Sequence, residues 1–227
     1  KEENLLVAKI DDMGFTEWSK NYEFDNNNGG NAIVQLTDGA IGVTGYSYFD
    51  GEQDLFVVKI DANGNKIWSK AIGGDKRDEG HDILPVDGGG MVILGETHSQ
   101  GDIAGDIWIL ELDTDGNILD TLLIHSIGKQ IGYSFVRTNS GGYIIGGITS
   151  SENISVTDAL IVKVNNLGDV DWTFSYGGTY NDLGFSLIYS DGGWILAGQT
   201  YSYDVGGGDA WLLKVNEMGE FEWMQTY

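Results

Sequence analysis

The sequence predicts an all-β protein built from repeated four-stranded antiparallel units, and three observations predict it. First, five segments line up: Asn4-Leu-Leu-Val-Ala-Lys-Ile-Asp11, Asp54-Leu-Phe-Val-Val-Lys-Ile-Asp61, Asp106-Ile-Trp-Ile-Leu-Glu-Leu-Asp113, Asp158-Ala-Leu-Ile-Val-Lys-Val-Asn165 and Asp209-Ala-Trp-Leu-Leu-Lys-Val-Asn216. Their starts lie 50, 52, 52 and 51 residues apart, the mark of a repeat architecture. Second, the 227 residues hold 35 glycines against one proline, with 7 Trp and 11 Tyr, which suits many short strands joined by tight turns. Third, no stretch has amphipathic helical periodicity of useful length.

Each unit reads as four strands in chain order. Strand a follows a Gly-rich joint: Ala32–Leu36, Asp82–Val86, Ser134–Thr138 and Phe185–Tyr189. Strand b is an apolar run closing on glycine: Ile41–Gly45, Met91–Gly95, Tyr143–Gly147 and Trp194–Gly198. Between a and b stand Thr37-Asp-Gly39, Asp87-Gly-Gly89, Asn139-Ser-Gly-Gly142 and Ser190-Asp-Gly-Gly193, hairpin turns in which Gly supplies positive φ. Strand c is the near-continuous hydrophobic segment of the five-fold alignment. An apolar pattern on both faces predicts a sheet held between two neighbours. A second hairpin carries Gly14, Gly64, Gly116, Gly168 or Gly219. Strand d then brings Trp18, Trp68, Trp172 or Trp223 four residues after that glycine, with Asp120 in the one exceptional place.

Units that cannot bury both faces alone must stack radially, so the predicted architecture is a β-propeller. It is expected as a single domain over 1–227: a half blade at 1–22, then four complete blades at about 23–73, 74–126, 127–177 and 178–227. Eighteen strands fill neither four blades nor five. The expectation is therefore a segment of a longer array, an irregular five-bladed ring, or an open strand edge that another chain covers.

The unit Asp54–Gly95 carries a family likeness. Its Asp-Leu-Phe-Val-Val-Lys-Ile-Asp-Ala-Asn-Gly-Asn-Lys-Ile-Trp core, Gly73-Gly74 joint and Asp87-Gly-Gly-Gly90 turn resemble the propeller repeats of large secreted and cell-surface proteins of bacteria and archaea. The likeness covers essentially the whole chain. It implies fold and an extracellular or cell-surface location, and it implies no activity. The glycine-terminated b strand and late Trp are loosely similar to kelch repeats. Gly-x-x-x-Trp is similar to the docking repeat of quinoprotein dehydrogenases, although no cofactor-facing residues accompany it. The sialidase Asp-box differs in both spacings, and the chain has only Arg77 and Arg137 where that catalysis needs an arginine cluster.

Composition narrows the function classes. Twelve Lys and Arg against 35 Asp and Glu give a net charge of −23, which repels phosphate backbones and anionic lipid heads, so neither nucleic acid nor a membrane surface is the expected partner. No apolar run is long enough for a membrane-spanning helix. The absence of cysteine removes disulfides, thiolate metal sites and a Cys nucleophile. A chain opening on Lys1 without a leader is read as a processed product.

Strand alternation sends the b–c and d–a joints to one end of the sheets and the tight turns to the other. The variable joints collect aromatic and acidic residues, and function concentrates on such loops. The candidate ligand-binding residues are Tyr48, Asp50, Asp78, Tyr180, Tyr203 and Asp204, suited to a glycan or a surface protein. Three b–c joints pair carboxylates, Asp50 with Asp54, Asp102 with Asp106, and Asp204 with Asp209. Calcium is the candidate ion there, because hard cations take oxygen ligands in loops. No other cofactor is expected. Lys9, Lys59, Lys163 and Lys214 recur inside apolar strands and read as a structural ladder that needs acidic partners. His81, His98 and His125 show no metal-ligand spacing and read as surface or joint residues, and no blade carries a singular acid–base set. A non-catalytic binding or adhesion module is therefore expected ahead of a carbohydrate-active hydrolase or lyase using joint carboxylates. Self-assembly through open strand edges is the third reading.

Overall fold

A computed structural model describes residues 4–22, 24, 27–49, 51–101, 104–126, 128–150, 156–203 and 207–227. Every sheet is a meander in which each strand pairs with its neighbours in sequence. β1 (Leu5–Ile10) and β2 (Thr16–Tyr22) form a two-stranded sheet. The four-stranded sheets follow. They are β3 (Asn28–Gln35) to β6 (Lys66–Ile72) through β4 (Ile41–Phe49) and β5 (Glu52–Ile60), then β7 (Asp78–Pro85) to β10 (Ile118–Ile124) through β8 (Met91–Thr97) and β9 (Asp106–Leu112). The last two are β11 (Lys129–Arg137) to β14 (Val170–Tyr176) through β12 (Tyr143–Ser150) and β13 (Asp158–Val164), and β15 (Asp182–Ser190) to β18 (Phe221–Thr226) through β16 (Gly193–Thr200) and β17 (Asp209–Asn216). Among the described residues one short 3₁₀ turn, Asp87–Gly89, interrupts the β structure. These are the four blades and the half blade that the repeats predict.

The chain divides into two compact units, residues 1–100 with 108–122, and residues 101–107 with 123–227. In the first, one core lies between the β1–β2 sheet and the next, where Leu5, Val7 and Tyr22 meet Val43, Phe56, Val58 and Ile60. In the second, Ile144, Ala159 and Ile161 meet Leu187, Leu196, Trp211 and Leu213 across the two sheets. The c strands explain both cores. Leu55 to Val58 and Ala159 to Val162 are buried without regard to alternation, so both faces of β5 and β13 are covered. Burying each such side chain contributes about 1.5–3 kcal/mol. β1 departs from this pattern. Its Leu6 and Ile10 are 60% and 62% exposed, so this c-type strand buries one face only.

The turns are fixed by their own side chains. The Asp or Asn ending each c strand accepts two backbone N–H groups of its hairpin: Asp11 from Met13 and Phe15, Asp61 from Asn63 and Asn65, Asp113 from Asp115 and Asn117. Asn165 and Asn216 repeat the arrangement. The calcium-like run at Asp113 is thus an Asx-capped hairpin. The a strands begin earlier than the sequence suggests. The Gly-rich joint does not delay them, because each runs through it with a bulge at the same place, Gly30/Ala32, Gly80/Asp82, Gly132/Ser134 and Gly184/Ser186. The extra residues are Asn31, His81, Tyr133 and Phe185.

Candidate functional site

The joint end of the sheets is held by a buried staple present once in each unit. Asp78 and Asp182, the first residues of β7 and β15, are fully buried. Asp78 Oδ2 accepts the Gly74 N–H at 3.0 Å and the Ser99 hydroxyl at 2.6 Å; Asp182 Oδ2 accepts the Gly178 N–H at 2.8 Å and the Ser202 hydroxyl at 2.7 Å. Ser99 and Ser202 in turn accept the N–H of Lys76 and Tyr180. One carboxylate therefore ties a d–a joint to a b–c joint. The glycines Gly73 and Gly177 let a second carboxylate approach. A Cβ on Gly73 would sit 2.1 Å from Asp54 Oδ1 and 2.7 Å from Asp78 Oδ2, and one on Gly177 would sit 2.1 Å from Asp158 Oδ1 and 2.8 Å from Asp182 Oδ2. Burial, then the facing Asp78, pushes the Asp54 carboxyl above its ordinary range; burial, then Asp182, does the same to Asp158.

The second unit mounts an aromatic plate on this staple. Tyr180, Tyr201 and Tyr203 are 63%, 42% and 40% exposed. The backbones of Tyr180 and Tyr201 and the hydroxyl of Tyr203 are nonetheless pinned. Tyr180 N–H donates to Ser202 Oγ at 3.0 Å, Tyr201 N–H to Asn181 O at 2.9 Å, and the Tyr203 hydroxyl to Gly177 O at 2.6 Å. The Tyr203 ring also stacks on Trp211, with centroids 6.1 Å apart. Burial and then Asp182 and Asp158 raise the Tyr203 hydroxyl pKa above its ordinary value. The three exposed rings give this joint its aromatic surface.

The first unit has a different and singular arrangement. Arg77 bridges two carboxylates, Glu79 Oε2 at 2.5 Å and Glu96 Oε1 at 3.0 Å. His81 Nε2 lies 3.8 Å from Glu96 Oε2, and His98 Nε2 lies 3.7 Å from Glu96 Oε1. Asn31 and Gln53 donate to Glu79 at 2.8 and 2.7 Å. Burial alone would raise Glu96, but the facing His81, then the charges of Arg77 and His98, hold its carboxyl below the ordinary glutamate range. This cluster corrects one sequence expectation. One blade does carry a set of acids and bases of its own, whereas His81, 9% exposed, keeps the place at the joint that the sequence suggests. The bulge is the missed signal, because it turns the residue after each joint glycine toward the neighbouring strand end.

The other expected residues are dispersed. Tyr48, 37% exposed, packs edge-on against Tyr46 in the first unit. Asp50, Asp102 and Asp204 lie outside the described residues. Of their partners, Asp54 faces Asp78, Asp106 Oδ2 lies 2.9 Å from His125 Nδ1, and Asp209 is half-buried at the head of β17. Among the described residues no group of three or more His, Asp or Glu is placed to hold a metal ion. The lysine ladder is uneven. Lys59 and Lys214 are buried, with Asp38 at 2.7 Å from Lys59 and Glu222 at 3.5 Å from Lys214, whereas Lys9 and Lys163 are partly exposed. Three tryptophans are wedges as expected. A Cβ on Gly64 would lie 2.9 Å from the Trp18 ring, one on Gly116 3.0 Å from Trp68 and one on Gly219 2.9 Å from Trp172, so each ring is seated on the next repeat's hairpin glycine.

No protein-family model matches the sequence, and comparison with curated proteins finds no match. Solved structures do match. Hydrazine synthase of Kuenenia stuttgartiensis is 11% identical with a TM-score of 0.62, covering 94% of this chain and 58% of its own. The Pan2 WD40 domain of Neurospora crassa is 11% identical with a TM-score of 0.56, covering 86% of this chain and 49% of its own. The arabinanase Arb43A of Bacillus subtilis is 13% identical with a TM-score of 0.52, covering 83% and 72%. The chain thus spans about half the length of the Pan2 chain it matches. At these identities the likeness is one of fold, and the fold is that of the β-propellers.

Proposed function

We propose that the protein is a non-catalytic binding module that takes a carbohydrate on the plate of Tyr180, Tyr201 and Tyr203, working outside the cell or on its surface. The observation that carries this reading is the pairing of high exposure with fixed geometry. A joint whose backbone is already held, with the Tyr203 ring fixed through its hydroxyl, loses less freedom on binding, and sugar rings stack on exposed aromatic faces. The same staple in the first unit carries Lys76, His98 and Gln100 at the corresponding joint positions, so a constant frame presents changeable side chains. The secreted-repeat resemblance supports the location. A glycan array probed with the whole chain tests the proposal. Retention of a defined glycan class by the wild type and its loss in Tyr180→Ala are expected; an array without any retained glycan overturns it.

The Arg77–Glu79–Glu96 cluster favours a second reading, a carbohydrate-active hydrolase, and an arabinanase is among the fold neighbours. Against it, Glu96 is fully buried and both carboxylates are engaged by Arg77, which leaves neither free to serve as acid or nucleophile. Product release from an array hit, abolished by Glu79→Gln, would establish the enzyme.

A further inference from the structure

The repeats allow one slot to be compared in its filled and unfilled forms. In the first unit Lys59, whose side chain is 3% exposed, ends in a closed set of acceptors: Asp38 Oδ2 at 2.7 Å, Gly89 O at 2.8 Å and Thr114 Oγ1 at 2.7 Å. The Asp38 turn is closed by Leu36 N to Ala40 O and Gly39 N to Leu36 O. The same two bonds recur in the second unit as Thr138 N to Gly142 O and Gly141 N to Thr138 O. Ser140 therefore stands where Asp38 stands, and by sheet register Lys163 stands where Lys59 stands. Glu217 takes the place of Thr114, each following the residue that caps its hairpin.

Replacing the aspartate with Ser140 removes the carboxylate that the lysine would meet. Lys163 is left with a side chain 30% exposed and its carboxylate partner, Asp171, at 3.7 Å. A cavity of about 340 Å³ opens instead, lined by Arg137, Ser140, Lys163, Tyr189, Trp194 and Glu217 among others. Arg137 is held there by Tyr143, with its guanidinium 5.8 Å from the ring centroid. Trp194 is 7% exposed, and its indole N–H finds no acceptor, a cost that a bound oxygen would remove. The Tyr189 hydroxyl donates to Glu217 Oε1 at 3.3 Å.

We propose that this cavity binds a small organic carboxylate, and that a uronic-acid ring is the class it suits. The ligand's carboxylate takes the place beside Lys163 and Arg137 that Asp38 fills beside Lys59. Its ring hydroxyls have Glu217 as acceptor and Trp194 as donor, and its body lies against the exposed Tyr189 ring. Lys163 and Arg137 offer two cationic donors at one cavity, against Glu217 in its lining and Asp171 beside Lys163, so a carboxylate is met by directed donors in a chain of net charge −23. The volume is in the range of small-molecule sites, which begin at about 300 Å³. The cavity lies at the hairpin-turn end of the sheets and does not depend on the tyrosine plate.

Isothermal titration of the whole chain with D-glucuronate, and with glucose as the uncharged control, tests the proposal. Glucuronate is expected to bind and glucose to give no heat. Lys163→Met should weaken glucuronate at least tenfold. Ser140→Asp should abolish binding and raise the melting temperature, because it rebuilds the internal ion pair of the first unit. Tyr180→Ala should leave glucuronate binding unchanged, which separates this site from the plate. No heat with glucuronate at tens of millimolar, equal binding of glucose, or full affinity in both Lys163→Met and Ser140→Asp would overturn it.

Discussion

At the scale of single residues, two kinds of position carry the fold, and each makes a measurable difference. Gly116 has φ of +76° and a Trp68 ring 3.0 Å from where a Cβ would lie, while Gly39 has φ of +84° and open space around it. Gly39→Ala should therefore cost only backbone strain, about 1 kcal/mol. Gly116→Ala must also displace an indole that donates to Thr114 O, and should cost about 2–4 kcal/mol by urea denaturation. The facing carboxylates behave differently. The Asp54 and Asp158 carboxyls are raised above their ordinary value of 3.8, by burial first and by Asp78 or Asp182 second. A raised carboxyl stabilises the fold fully below its unfolded pKa, and that contribution is lost as pH rises through the folded value. The variant Asp54→Asn with Asp158→Asn should thus melt above the wild type at pH 7, and the difference should shrink to nothing as the pH is brought below 3.8. Glu96 has the opposite sign. Its carboxyl is lowered, so its contribution is present at neutral pH and is lost as pH falls below the ordinary glutamate range.

At the scale of elements, the shared bulge decides which side chains reach the joint end. Deleting Tyr133 would leave Gly132 and Ser134 adjacent opposite Gly147 and Gly146, so the pairing survives while the bulge and the Tyr133 ring, 5.8 Å from the Phe185 ring, are lost. About 1–3 kcal/mol should be lost, read as a fall in the urea midpoint, whereas Tyr133→Asn should be tolerated better because Asn31 occupies that position in the first four-stranded sheet. The elements were legible in the sequence wherever chemistry repeats. The c strands declare themselves by continuous apolar runs, and the hairpins by Asp or Asn followed by glycine. The strand a starts were not, because Gly29-Gly30 or Gly73-Gly74 reads as a break whether a strand runs through it or ends there. Nor was the Arg77–Glu79–His81–Glu96–His98 cluster, since its members are brought together by pairing β7 with β8 and by a bulge that spacing along the chain does not reveal.

At the scale of the whole molecule, the account is of a frame that repeats and side chains that do not. The Asp staple, the Asx-capped hairpins and the Trp-on-glycine seats recur from repeat to repeat. The residues they display change from Lys76 and His98 to Tyr180 and Tyr201. The candidate plate was half legible: Tyr180 and Tyr203 stood out as joint aromatics, but their fixation by Ser202 and Gly177 comes only from two joints meeting across a buried Asp182. The most direct test pairs affinity with stability. Titration of a retained glycan into the wild type and into Tyr180→Ala with Tyr201→Ala should show at least a tenfold loss of affinity, about 1.4 kcal/mol or more, while the melting temperature stays close to that of the wild type. Unchanged affinity in that stable double variant would contradict the account.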